Sequence, residues 1–266
     1  MPWSDGMSLV SGAKTANLVE FYVMNSASAG KNLVNSATRT TTLAGSAAYG
    51  SDAIGTYLST PGSNDALTIA NSAEPASTIN VVYMLVFSRQ GAASGIPILM
   101  SQNPGPRINV TGGDFNVGAG SVEYGTGIAY TTAVLSTEFA VLFDVQNGRF
   151  YYTGGGSSVS LPANNVNTGS LVNLYLGNNA GINSGVGNIY IRAYARWSAA
   201  TGISAADFQS IVNNPQQLVN QAVTYDARIT WAEAQYQAST PPPVTPTDYS
   251  EPLSRGIFRG IERGVA

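Results

Sequence analysis

Apolar and polar residues alternate along this chain in short runs, and the dominant period is two. Residues 18–24 (LVEFYVM), 54–58, 66–70 (ALTIA), 96–101, 107–110 and 114–117 all have strand length, with Gly, Pro, Asn or Asp between them. Residues 79–87 (INVVYMLVF) are nearly continuously apolar, the pattern of a central strand covered on both faces. Residues 139–144 (FAVLFD) and 149–153 (RFYYT) flank Gln146-Asn147-Gly148. Both members of an Asn-Gly pair accept positive φ, so this spacing predicts a tight hairpin. Residues 171–176 and 188–195 (NIYIRAYA) complete the set. Many short strands punctuated by turns predict a sandwich.

The period changes once, after Trp197. Ser204 is placed to accept from the amide of Asp207, with Asp207 in a capping-box position. Phe208, Ile211 and Val212 form one apolar face, and Pro215 cannot continue a helix. The expectation is a last sheet strand followed by a short helix clipped onto the sandwich. Beyond it, residues 227–236 (ARITWAEAQY) read as a strand or a short helix, and residues 239–247 (STPPPVTPT) as a polyproline-type linker. The last segment carries Arg255, Arg259 and Arg263 at every fourth position, beside Ile257, Phe258 and Ile261. It reads as a peptide docked on a neighbouring chain or copy. The domain boundaries that follow are an arm at 1–14, a sandwich at 15–220, an extra element at 221–238, and a linker and docking tail at 239–266.

Composition supports this picture and removes several chemistries. Hydrophobic residues make up 44% of the chain and charged residues only 10%, which argues for a turn-rich β-protein rather than for disorder. The formal charge of -3 offers no basic patch for nucleic acid. There is no Cys and no His, so disulfides, thiolate nucleophiles, zinc-thiolate sites and a Ser-His-Asp triad are all impossible within the chain. The start of the chain lacks the pattern of a signal peptide, and no run approaches the roughly 18 apolar residues of a membrane span. The expectation is a soluble protein made in the cytoplasm, with no membrane partner.

Four motifs occur in one order. They are GSNDALTIANS (62–72) before STINVVYMLVF (77–87), VLFDVQNGRFYYTGG (141–155), LYLGN (174–178), and the strand-helix-Asn-Pro close at 188–218. Together they resemble laminin-G-like, concanavalin A-type jelly rolls, especially those encoded in bacteriophage genomes, over roughly residues 15–218. The resemblance implies an all-β, two-sheet antiparallel jelly-roll sandwich with one short C-terminal helix. Lectins, glycosidases and virion proteins share that fold, so function has to be argued from sites.

A glycosidase needs two carboxylates across a cleft. The Glu-x-Asp-x-x-Glu strand motif of jelly-roll glucanases is absent. Glu138 and Asp144 flank one strand at even spacing, and they read as a strand-end acid and a turn acid. Asp65 and Asp114, in Gly-rich loops, are the candidate calcium ligands, although Asx turns explain both without metal. A possible glycan loop holds Asn178, Asn179, Asn183 and Asn188, with Tyr124, Tyr130 and Tyr152 available elsewhere. Tyr83, Tyr151 and Tyr152 read as alternating between core and interface. No catalytic residue, cofactor or resident metal is expected. The leading expectation is a non-enzymatic bacteriophage virion protein, a capsid decoration or turret-type protein. Arg255, Ile257, Phe258, Arg259, Ile261 and Arg263 would anchor it to other virion proteins or to copies of itself. The alternative is a tail-fibre or baseplate receptor-binding module, or a carbohydrate-binding lectin module.

Overall fold

Alternating strands and Gly- or Asn-rich turns produce two antiparallel sheets, numbered here in chain order. The computed structural model describes residues 2–70, 81–102, 107–119, 122–159, 173–177, 185–186 and 188–220. The extra element at 221–238, the Pro-rich linker and the docking tail all lie outside the described residues. All described residues fall in one compact unit, Met1–Ala222.

The first sheet runs β15 (Gly155–Ser158), β14 (Arg149–Tyr152), β13 (Glu138–Asp144), β7 (Val82–Arg89), β18 (Ile189–Trp197), β5 (Gly55–Thr60), β4 (Ala48–Asp52). Strand β2 (Leu18–Val23) also pairs with β18. The second sheet runs β12 (Val122–Ala129), β11 (Asp114–Ala119), β10 (Arg107–Thr111), β9 (Ile98–Gln102), β16 (Leu174–Leu176), β6 (Ala66–Ile69), β3 (Thr41–Ala44). Two short ribbons join β1 (Ser8–Leu9) to β19 (Val219–Asn220) and β8 (Ser94–Gly95) to β17 (Gly185–Val186). Strand β18 is the spine: β7 pairs along its whole length, while β5 and β2 share its other edge.

The first sheet is buried on both faces. Tyr83, Leu85 and Phe87 of β7, with Phe139, Val141 and Phe143 of β13, meet Ile108, Val110, Phe115 and Val117 of the second sheet. On the other face, Val82, Met84, Val86, Ala140 and Leu142 lie beneath Trp3, Phe208, Ile211, Val212 and Leu218. That explains the unbroken apolar run in β7, whose odd and even residues belong to different cores. One end of the inter-sheet core holds a buried ion pair, Arg196 to Glu20 at 3.0 Å, beside Tyr83 and Tyr194.

Helix α1 (Ala205–Asn213) begins as expected. The Asp207 amide donates to Ser204 Oγ at 3.1 Å, and the Ser204 amide donates back to Asp207 Oδ2 at 3.2 Å. Phe208, Ile211 and Val212 are its buried residues.

Two expectations are corrected. The β13–β14 connection is not a two-residue Asn-Gly turn. Residues 145–148 all belong to the loop, and only Gly148 has positive φ there (58°). Asn147 instead donates its backbone and side-chain N–H groups to Asp144 at 3.1 and 2.7 Å. An Asx interaction therefore replaces the left-handed Asn, leaving a longer hairpin closed by glycine. The N-terminal segment is not an arm either. Trp3 is 1% exposed, its backbone is bridged to Gly55, and β1 pairs with β19. Gly55 makes that approach possible: at φ 122° a Cβ would lie 2.2 Å from the Trp3 backbone N and O. The apolar surface of the first sheet needs a cover, and Trp3 supplies part of it.

Candidate functional site

Strand β18 carries a bulge. Its register against β7 shifts between Ile191 and Ala193, leaving Arg192 as the extra residue. Bulges re-aim side chains, and here an arginine turns onto the helix-side face of the first sheet with Tyr190. Tyr190 stands opposite Ser59 of β5, which puts Tyr57 in the diagonal position, within reach of an aromatic partner. The two rings stack with centroids 3.9 Å apart and planes 1° from parallel. Gly50, opposite Tyr57 on β4, makes the space, because a Cβ there would come within 2.6 Å of the Tyr57 ring.

Arg192 is fully buried and fixes this pair from below. Its Nη1 donates to the Gly55 carbonyl at 2.8 Å, and its Nη2 donates to Asp52 Oδ2 at 2.7 Å. Ser88 Oγ accepts from Nε and Nη2 at 3.4 and 3.3 Å. The guanidinium carbon lies 5.0 Å from the Tyr57 ring centroid and 5.9 Å from that of Tyr190, so both rings gain a cation–π attraction. Both tyrosines are half-buried, and the Asp52 side chain is 36% exposed. Burial works against the Asp52 carboxylate. The Arg192 hydrogen bond and the backbone amides of Ile54 and Gly55 outweigh it and hold the group below the usual carboxylate range. Burial, then the Tyr190 hydrogen bond, push the Tyr57 hydroxyl up. The result is a rigid ridge of two parallel phenols beside a half-exposed carboxylate whose charge is neutralised from beneath.

The sequence reading did not single out Tyr57, Tyr190, Arg192 or Asp52. It pointed to residues that the structure places elsewhere. Tyr130 is buried edge-on against Phe115, while Tyr124 and Tyr152 pack partly buried against the inter-sheet core. Asn178, Asn179 and Asn183 of the glycan loop lie outside the described residues, as do Arg255, Ile257, Phe258, Arg259, Ile261 and Arg263. Asn188 is described: it has φ 49°, and its carbonyl accepts from the Gln90 amide at 2.8 Å.

The calcium candidates are not brought together. The Asp65 carboxylate accepts from the amides of Ser46 and Gly62, closing a turn, and Asp65 is 3% exposed. Asp114 sits at the start of β11, separated from β6 by β10, β9 and β16. At about 4.8 Å per strand that spacing is roughly 19 Å. No cluster of three metal-ligating His, Cys, Asp or Glu residues occurs among the described residues. Glu138 and Asp144 do share a strand face, but six residues of extended chain place them about 20 Å apart. A carboxylate pair for glycoside hydrolysis stands about 5–9.5 Å apart. Glu138 accepts instead from Trp3 Nε1 and from Gln216 Nε2, the latter at 3.1 Å.

No family model matches the chain, and no curated protein matches it. Among solved structures it is similar to domain 4 of AbnA, a GH43 extracellular arabinanase from Geobacillus stearothermophilus, in complex with arabinotriose. The TM-score is 0.52 at 14% identity, over 74% of this chain and 98% of that chain. It is also similar to the binding domain of Paraclostridial Mosquitocidal Protein 1, with TM-score 0.56 at 12% identity over 77% of this chain and 53% of that one. Trypanosoma rangeli sialidase in complex with sialic acid gives 0.52 at 11% identity, over 78% of this chain and 34% of that one. This chain thus spans about half of the mosquitocidal binding domain and about a third of the sialidase. At these identities the likeness shows the fold, a jelly-roll-like antiparallel β-sandwich.

Proposed function

We propose that this chain is a non-enzymatic carbohydrate-binding module and that the Tyr57–Tyr190 ridge is its recognition surface. The stacked, half-exposed tyrosine pair held by a buried arginine is the observation that carries the reading. A sugar ring presents C–H patches that pack on aromatic carbon, and hydroxyls that need paired donors and acceptors; phenol hydroxyls and Asp52 supply both. Holding the rings in place before binding removes the cost of ordering them afterwards. The named neighbours add support, since one was solved with arabinotriose and another is a toxin's binding domain. Catalysis forms no part of the proposal. On a glycan array, the intact protein should give binding that free oligosaccharide competes away. Tyr57→Ala and Tyr190→Ala should each weaken that binding at least tenfold while the protein stays folded; retained binding in both variants refutes the ridge.

The second reading concerns setting. The four ordered motifs favour display on a bacteriophage virion, as a decoration protein or a receptor-binding module, made in the host cytoplasm and attached through Arg255, Ile257, Phe258, Arg259, Ile261 and Arg263. Deleting residues 240–266 should abolish incorporation into particles and leave the sandwich folded. Unchanged incorporation refutes the anchoring role.

A further inference from the structure

The hairpin that departs from its expected turn borders a cavity of about 400 Å³, lined by Asp144, Asn147, Arg149, Tyr151, Ile203, Ala205 and Phe208. Asp144 and Arg149 are direct cross-strand partners, so their side chains leave the same face of the first sheet. No ion pair joins them. Arg149 Nη1 donates to Ser158 Oγ at 2.8 Å, and the Asp144 carboxylate accepts from Asn147. Asp144 is 1% exposed, and each of its oxygens keeps room for a further donor. Opposite charges in adjacent register would ordinarily close on each other; here they stand apart on either side of a space.

The other walls are of a different character. Tyr151 and Phe208 lie with ring centroids 5.8 Å apart and planes tilted by 40°, giving an aromatic wall. Burial, then the nearby Asp144 charge, push the Tyr151 hydroxyl up, which places that hydroxyl in the field of the carboxylate. Ile203 and Ala205 add apolar surface at the start of α1. A carboxylate, a guanidinium and a phenol thus converge over an apolar wall, in a volume within the few-hundred-Å³ range of small-ligand sites.

We infer that this cavity is a second binding site, which takes one neutral monosaccharide unit whose adjacent hydroxyls bridge Asp144 and Arg149 while its C–H face rests on Tyr151 and Phe208. A diol donates to the carboxylate and accepts from the guanidinium at once, which matches the divided pair. The ligand class rests on the carbohydrate reading, but the residues are separate from the ridge. Asp144 stands at the far end of β13 from Glu138, whose cross-strand neighbour on β7, Ser88, pairs in turn with Tyr190.

The test is titration of the intact chain with free D-glucose, D-galactose, D-mannose and L-arabinose, followed by saturation-transfer NMR. At least one should bind. Arg149→Met and Asp144→Asn should weaken it tenfold or more. Should Asp144→Asn disturb the hairpin, Ala205→Phe provides the second variant: Ala205 is exposed at the cavity mouth, and the added ring obstructs entry without removing a polar group. Tyr57→Ala should leave monosaccharide binding within twofold. Absence of binding by all four sugars overturns the cavity site, as does binding that survives both Arg149→Met and Ala205→Phe. Loss on Tyr57→Ala alone returns the binding to the ridge and likewise overturns the cavity. Failure of the ridge would show instead as array binding insensitive to Tyr57 and Tyr190.

Discussion

Arg192 shows how much one inserted residue can organise. Within NIYIRAYA, simple alternation assigns each side chain to one face, and a bulge overrides that assignment for the residue it inserts. The guanidinium is then committed to Asp52, Gly55 and Ser88, a costly arrangement to bury unless every partner is present. A pH effect follows from Asp52. Its folded carboxyl titrates below its unfolded value, so the unfolded chain takes up the proton first as pH falls. The stabilisation is present above the usual carboxylate range, about pH 4, and is lost as pH falls through the depressed folded value. Urea midpoints at pH 7 and pH 3 should therefore differ less in Asp52→Asn than in the wild type. Asp207 is also held low, by its hydrogen bonds to Ser204, so part of the acid sensitivity should persist. None of this was legible at single positions, because Arg192 and Asp52 meet through pairing between distant parts of the chain.

Elements were legible in proportion to how completely one face was buried. β7, β13 and β18 are strongly apolar and were anticipated within a few residues. β3, β4 and β15 were not: their burial patterns run ieei, eiiee and ieie, so neither face is fully covered and no apolar alternation is imposed. β12 was hidden by Gly125 and Gly127 within its run. Helix α1 was readable because its signals are local: a cap, an acid three residues on, an apolar stripe and a proline stop. Ser204→Ala removes the acceptor for the Asp207 amide and should lower stability by about 1 kcal/mol, measured as a shift in the urea midpoint at constant slope. The hairpin at 145–148 shows the limit of local chemistry. Asn-Gly predicts one turn, but a buried Asp144 engages the Asn and selects another.

Across the whole molecule, the sandwich carries a third layer that the sequence pattern did not announce. Trp3, α1 and the turn Pro215–Leu218 cover the outer face of the first sheet, and β1 with β19 ties the two ends of that cover together. Trp3→Ala should therefore behave as a core substitution and not as a change in a free terminus. The expected cost is about 3–5 kcal/mol, read as a lowered melting temperature in calorimetry. Sequence by itself determined the fold class, the central strands, the capped helix and the exclusion of thiol and imidazole chemistry, because periodicity, capping and composition act over a few residues. Tertiary structure alone decided which polar and aromatic groups meet. The Tyr57–Tyr190 stack, the buried Arg192 and the divided Asp144–Arg149 pair depend on strand register, on a bulge and on a layer folded back from the N-terminus. Those are set by the burial of whole faces, which no local window contains.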